Sequence, residues 1–288
     1  MSDVLQTLLN LLDLEILEAD LFRGHGPKSD RPRVFGGHVI GQALVAASRT
    51  VEGRRPHSLH AYFMRPGDPS VPIIYDVDLL RDGRSFSTRN VVARQHGRPI
   101  YQMAVSFMTD EEHFDHQTDM PDVPFPDDLP SENDRRAALA HLLPEADRQR
   151  FLCERAIEIR PIDAPLPPTH EPREPVRRYW ARTLKPFPAD FTEHDCVLAY
   201  ASDMTIAETA LAPHGQTWYS DQIVTASLDH SMWFHRDFRA DEWLLFDQWA
   251  PSVKGGRGLN FGNIFTEDGR LVASMSQEGM IRKRGATS

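Results

Sequence analysis

Only two cysteines, Cys153 and Cys196, stand in 288 residues, and they fall in no metal-binding or redox spacing. That excludes a disulfide framework and leaves two unpaired thiols in a reduced compartment as the simple expectation. Cations are short as well. Against 42 Asp and Glu there are 32 Lys and Arg, a net charge of −10, and nucleic-acid binding depends on clustered positive charge, so no nucleic-acid partner is expected. No apolar run approaches the roughly 18 residues that a membrane span requires, so none is expected. The N-terminus, Met1-Ser2-Asp3-Val4, has an acid where an export signal carries basic residues, and Asp13 and Glu15 interrupt the apolar run behind it. The terminal Ala286-Thr287-Ser288 differs from a Ser-Lys-Leu peroxisomal address, which makes the cytoplasm the expected location.

Several catalytic signatures are missing too. Gly83-Arg84-Ser85-Phe86-Ser87 lacks the last glycine of a nucleophile elbow. Gly255-Gly256-Arg257-Gly258 runs into strand-like text rather than a helix, so it reads as a loop or bulge and not a phosphate cradle. His230 and His235 are badly spaced for two ligands on one strand face, and no carboxylate–histidine cluster completes a metal site; neither a metal nor a cofactor is expected. The histidines read mostly as structural or surface residues, with the roles of His38, His57 and His60 left open.

What the chain does have is the same phrase twice. Ser58-Leu59-His60 opens an apolar stretch that closes at Gly97-Arg98-Pro99-Ile100-Tyr101-Gln102-Met103-Ala104-Val105-Ser106-Phe107-Met108. Ser227-Leu228-Asp229 opens another, closed by Gly269-Arg270-Leu271-Val272-Ala273-Ser274-Met275-Ser276-Gln277-Glu278-Gly279-Met280. Gly-Arg heads both closing phrases, and Met recurs at the seventh and twelfth places, which points to two collinear copies of one domain. Residues 1–115 and 151–288 are the expected domains, joined by an acidic, proline-rich linker over 116–150 that holds Pro121-Asp122-Val123-Pro124 and a short alanine-rich helical piece around Arg135 to Leu143.

Each half reads as a helix followed by a meander of strands. Leucines at near-helical spacing predict an opening helix from Val4 to Leu17, ended by Gly24-His25-Gly26-Pro27. Val34 to Ser48 is a glycine turn entering a helix apolar all round, which must be enclosed. Strands are expected over 58–64, 72–81, 85–95 and 100–108, with hairpin turns at Asp82-Gly83 and His96-Gly97. In the second half the strand-like segments are 157–160, 177–184, 224–234, 243–249, 258–265 and 271–282, around a buried helix from Val197 to Leu211.

Three polar residues sit where apolar ones belong. Asp203 lies within the helix expected to be enclosed, a costly place for a carboxylate unless it is paired or faces a pocket; the alternative is a wet helix edge. Ser227 shares a strand face with Asp229 and Ser231, Leu228, His230 and Met232 taking the other, where a hydroxyl and a carboxylate can orient a water or simply bond across strands. Gln277 occupies an otherwise apolar closing strand, where an amide needs a partner.

Phe35-Gly36-Gly37 with Gly41-Gln42-Ala43-Leu44, Arg65-Pro66-Gly67-Asp68, Leu80-Arg81-Asp82-Gly83-Arg84-Ser85-Phe86, Ala201-Ser202-Asp203, Leu228-Asp229-His230-Ser231-Met232-Trp233-Phe234-His235-Arg236 and Gln277-Glu278-Gly279 together resemble the type II acyl-CoA thioesterases, the TesB-like family. The resemblance covers almost the whole chain in order. It implies an α+β double hotdog, two tandem antiparallel sheets each wrapped around a central helix, and hydrolysis of acyl-CoA to free fatty acid and CoA. It also implies a water held by Asp203, Ser227 and Gln277 as catalytic residues, and a homodimer or homotetramer. Many relatives carry Thr at the place of Ser227 and Gln at the place of His38. Two rival readings keep the fold: an enoyl-CoA hydratase or dehydratase, whose acid–base work uses a paired Asp and His, and a non-catalytic acyl-CoA binding protein.

Overall fold

The computed structural model describes all residues except 1–2, 27–31, 112–113, 143–144, 146–147, 149–150, 164–170, 189, 218–219, 221 and 286–288, together with the side chains of 142 and 191. Pro27, Leu143 and the terminal Ala286-Thr287-Ser288 lie outside the described residues.

The first half runs α1 (Val4–Leu12), β1 (Glu15–Glu18), β2 (Leu21–Gly24), α2 (Gly36–Ser48), β3 (Arg55–Phe63), β4 (Ile73–Asp82), β5 (Phe86–Gln95) and β6 (Arg98–Met108). After α3 (Glu132–Leu139), the second half runs β7 (Ile157–Pro161), β8 (Val176–Thr183), α4 (Phe191–Ser202), α5 (Ile206–Thr209), β9 (Ile223–Ser227), β10 (Asp229–Phe234), β11 (Leu244–Lys254), β12 (Arg257–Thr266) and β13 (Leu271–Lys283). The strands form one antiparallel sheet in the order β1-β2-β4-β5-β6-β3-β10-β13-β12-β11-β8-β7, with β9 also paired to β13. The two halves meet where β3 pairs with β10, Met232 opposite Leu59 and His230 opposite Ala61. This is the α+β double hotdog that the resemblance implied. Among the described residues no helix is long and apolar enough to cross a membrane.

Alternation along the strands explains the layering. In β5 and β6 every second residue is buried against the helices, including Val91, Ala93, Met103, Val105 and Phe107. The turns follow from glycine chemistry: His96-Gly97 and Gly255-Gly256 are all left-handed, at φ 50°, 71°, 61° and 76°, and close two-residue hairpins between Gln95 and Arg98 and between Lys254 and Arg257. The Gly255 segment is therefore a hairpin turn.

Both central helices lie in one core shared by the halves. α2 packs directly on α4, so closely that a Cβ at Gly37 would stand 2.2 Å from the Tyr200 carbonyl oxygen. Arg55 of β3 reaches across to α4 and pairs with the buried Asp195 carboxylate at 2.8 Å. Burial pushes that carboxyl up to about 7 even though the guanidinium pulls it down.

Two features depart from the sequence reading and a third adds to it. The opening helix stops at Leu12, because Asp13 takes an extended backbone (φ −79°, ψ 103°), and Ile16 and Leu17 instead enter the exposed edge strand β1. The helix expected over 197–211 breaks at Asp203, which caps α4, and only the single turn of α5 follows. The stretch from 116 onward packs: Met120, Val123 and Leu129 cover Trp180, Trp243, Leu245 and Phe265 on the sheet face turned away from the helices. Trp180 Nε1 donates to the Pro124 carbonyl at 2.9 Å, and Gln117 both donates to the Gly269 carbonyl and accepts from Leu271 N–H.

Candidate active site

α4 starts at a capping box, Asp190 with Glu193, and ends where Asp203 turns out of the helix. Its neighbour α2 has no such box; its N-cap residue is Phe35, which offers no capping side chain. Asp203 supplies the missing acceptor from the other half: Gly37 N–H donates to Asp203 Oδ2 at 2.9 Å. The contact requires glycine, since a Cβ at Gly36 would lie 2.5 Å from the same oxygen. Asp203 thus sits at the negative end of its own helix and the positive end of α2, so the two dipoles act on it in opposite senses.

The other carboxylate oxygen, Oδ1, accepts from the Ser227 hydroxyl at 3.1 Å. Ser227 Oγ in turn accepts from Gln277 Nε2 at 3.0 Å. The three residues named from sequence therefore meet, from the end of α4, the end of β9 and the middle of β13. Asp203 is 7% exposed, which removes the wet-edge alternative. Burial raises its carboxyl to about 6, against the lowering effects of Ser227, Gln277, Gly37 N–H and the Arg33 charge. Gln277 is fully buried, and Ser227 only half-buried.

Ser227 does not reach Gln277 through the strand face expected for it. Ser227 pairs with Gly279, whereas Ser231 pairs with Ser276, so one extra residue intervenes at Leu228, where β9 gives way to β10. This bulge re-phases the side chains. Ser227 and His230 now face the core together, while Asp229 instead accepts from Glu278 N–H at 2.7 Å. β3 carries the same irregularity between Pro56 and Ser58. Registers also correct the match between the repeated phrases. Ser231 lies opposite Ser276 as His60 lies opposite Ala104, so Leu59 corresponds to His230 and Pro56 to Ser227, two residues on from the shared Ser-Leu. The first half thus places Pro56, Leu59 and Val105, all buried, where the second places Ser227, His230 and Gln277.

His230 was not singled out from the sequence. Its Nδ1 lies 2.6 Å from Gln277 Oε1, and its Nε2 lies 2.9 Å from Ser202 Oγ. Burial pushes the ring down to about 4, so it is neutral. The signal available was a histidine at the repeat position that Leu59 fills in the first half, hidden by the bulge. His57 and His60 bond elsewhere: His57 Nε2 contacts Ser106 Oγ at 2.8 Å and His60 Nδ1 contacts Ser231 Oγ at 3.0 Å. His38 is buried on α2 with Nε2 unpartnered. His214 is exposed. Among the described residues no group of three or more His, Cys, Asp or Glu is placed to hold a metal ion.

This arrangement can hold a small polar molecule between a basic carboxylate, a hydroxyl and an amide. Comparison with known proteins points the same way. A family model for acyl-CoA thioesterase matches residues 146–280, and one for an acyl-CoA thioesterase N-terminal domain matches residues 25–108. The acyl-CoA thioesterase 2 of Haemophilus influenzae is 42% identical over 285 residues, 98% of this chain and 99% of that protein. Acyl-coenzyme A thioesterase 8 of Homo sapiens is 41% identical over 96% of this chain and 89% of its own length. Among solved structures, an acyl-CoA thioesterase II (TesB2) from Mycobacterium marinum superposes with a TM-score of 0.79 at 40% identity, covering 98% of this chain and 99% of that one.

Proposed function

The chain belongs to the acyl-CoA thioesterase family and hydrolyses acyl-CoA to a free fatty acid and coenzyme A; from that premise we propose that Asp203, Ser227 and Gln277 hold and deprotonate the attacking water. The observation that carries the assignment is the unbroken hydrogen-bond run from Gln277 through Ser227 to a buried carboxylate. A thioester carbonyl is electrophilic enough that water needs orientation, loss of a proton and donors for the developing oxyanion. Asp203, with its carboxyl raised to about 6, is ionised at neutral pH yet far more basic than an exposed aspartate. Ser227 and Gln277 fix the water. Backbone N–H groups in the first turn of α2, other than that of Gly37, are the proposed receivers of the charge on the thioester oxygen.

A fatty-acyl chain saturated at the reacting end tests the reading against the hydratase alternative. Thiol release from saturated acyl-CoAs supports hydrolysis, since a hydratase cannot free CoA from them. Release that survives Gln277→Ala unchanged removes the amide from its role.

Residues 1–115 and 151–288 are proposed as the two hotdog domains, the second carrying the catalytic groups. A homodimer or homotetramer is proposed as the assembly, supported by exposed Tyr62, Met64 and Trp233 around the central strands; a monomeric mass by light scattering would refute it. The cytoplasm is the proposed location, on the two free cysteines.

A further inference from the structure

An amide's two ends are nearly the same shape, so packing alone does not choose which one Gln277 turns toward Ser227. The choice matters. Ser227 has one hydroxyl proton, and the ionised Asp203 needs it; Ser227 Oγ must then accept from the amide nitrogen, which turns Gln277 Oε1 toward His230. The facing ring atom, Nδ1, must carry a proton. Nε2 is left as an acceptor, and the hydroxyl beside it at 2.9 Å belongs to Ser202, the neighbour of Asp203 in the chain; its single proton must then turn to Nε2 and away from the Ala199 carbonyl, the other acceptor within reach at 2.8 Å. The run of bonds thus starts and ends at adjacent residues, and every member is buried except Ser227.

We propose that His230 is a positioning residue for hydrolysis: its Nδ1–H locks the Gln277 amide with nitrogen toward Ser227, and Ser202 holds the ring in that tautomer. The proposal rests on the assignment of Asp203, Ser227 and Gln277 above. A flipped amide would offer Ser227 an oxygen, draw its proton away from Asp203 and leave the water without a defined seat. The first half supports a local purpose for the ring. Leu59 fills the corresponding place opposite Val105 with both fully buried, so packing there is served without a polar group, and histidine accompanies the one half that carries Gln277.

His230→Leu copies the first half's residue, and His230→Asn keeps an N–H near the Nδ1 position. The expected result for His230→Leu is a kcat lowered by about 10- to 100-fold, as for a misplaced reactive geometry, with KM for acyl-CoA within about threefold and thermal unfolding still cooperative. His230→Asn recovers most of kcat. In a Gln277→Ala background His230→Leu changes kcat less than about twofold, because the ring acts only through the amide. If His230→Leu does not fold, Ser202→Ala takes its place in the same cycle, with a loss of about three- to tenfold that vanishes without Gln277. Nitrogen-15 spectra of the wild-type enzyme at pH 8 should show His230 protonated at Nδ1. Unchanged kcat in His230→Leu, effects that multiply with Gln277→Ala, or a proton on Nε2 would overturn the proposal. Wild-type kcat in Gln277→Ala alone would instead overturn the underlying triad, a result separable from failure at His230.

Discussion

Asp203→Asn separates catalysis from stability, because the carboxylate proposed as the base is also one whose burial opposes folding. Asparagine has nearly the shape of aspartate and is itself a good helix cap, so Oδ1 can keep the Gly37 N–H while the amide nitrogen faces Ser227 Oγ. It cannot take a proton from water. The expected kcat is about 10² to 10⁴ lower, the range for loss of a positioned base. Stability moves the other way. An aspartate whose carboxyl is raised from 3.8 to about 6 in the folded protein binds its proton more tightly folded than unfolded, so folding loses stability as pH rises through this window. The full cost above pH 7 is about 3 kcal/mol, and roughly half of it develops between pH 5 and pH 8. Replacement by Asn removes that pH-dependent term. Urea unfolding of both proteins at pH 5 and pH 8 should show the variant gaining on the wild type by about 1 to 2 kcal/mol across the interval. A difference independent of pH, or one of opposite sign, would mean that Asp203 is not held in a raised state and the base assignment loses its electrostatic ground.

Other consequences follow from the same geometry. Gly36→Ala puts a methyl 2.5 Å from Asp203 Oδ2 and 3.1 Å from Phe63 Cζ, so kcat should fall by about 10- to 100-fold, with thermal unfolding reporting a loss of about 1–3 kcal/mol; a fully active variant would show that the carboxylate's seat is not critical. Ser227→Ala removes a donor that lowers the Asp203 carboxyl, so the acid limb of the kcat–pH profile should move to higher pH while kcat drops, and Ser227→Thr, which keeps the hydroxyl, should retain activity within a few-fold. Arg55→Met strands the buried Asp195 carboxylate and should cost about 3 kcal/mol at pH 8, less at pH 5.5, where a carboxyl raised to about 7 is already protonated; equal losses at both pH values would count against that pair as the link between β3 and α4.

Most of the architecture was legible because period and punctuation agree. The buried helix α2 runs from Gly36 to Ser48 within the enclosed segment read from its apolar circumference, and the strands of the meanders begin and end within a few residues of their hairpin signals. Where single residues override a periodic pattern, reading by period fails. Asp13 ends α1 at Leu12, five residues before the last leucine of the run, and Asp203 stops α4 although Ile206, Ala207, Ala210 and Leu211 continue the apolar pattern beyond it. Asp203, Ser227 and Gln277 were visible because each violates its surroundings. His230 and Gly37 were not: one looks like a core histidine until the extra residue at Leu228 is known to turn it toward Gln277, and the other contributes only a backbone N–H, which no side chain announces. The packing of 116–130 on Trp180 was equally hidden, since proline and acid content describe the solvent side of that segment and not the Met120, Val123 and Leu129 beneath.

The central claim is that water attacks the thioester directly while Asp203 takes its proton. A single turnover in oxygen-18 water, followed by mass spectrometry of the fatty acid and of the peptide containing Asp203, tests it most directly. Direct attack places the label in the fatty acid and none in Asp203. Unlabelled acid with a labelled Asp203 carboxylate would mean that the aspartate itself had been acylated, and the account would be wrong.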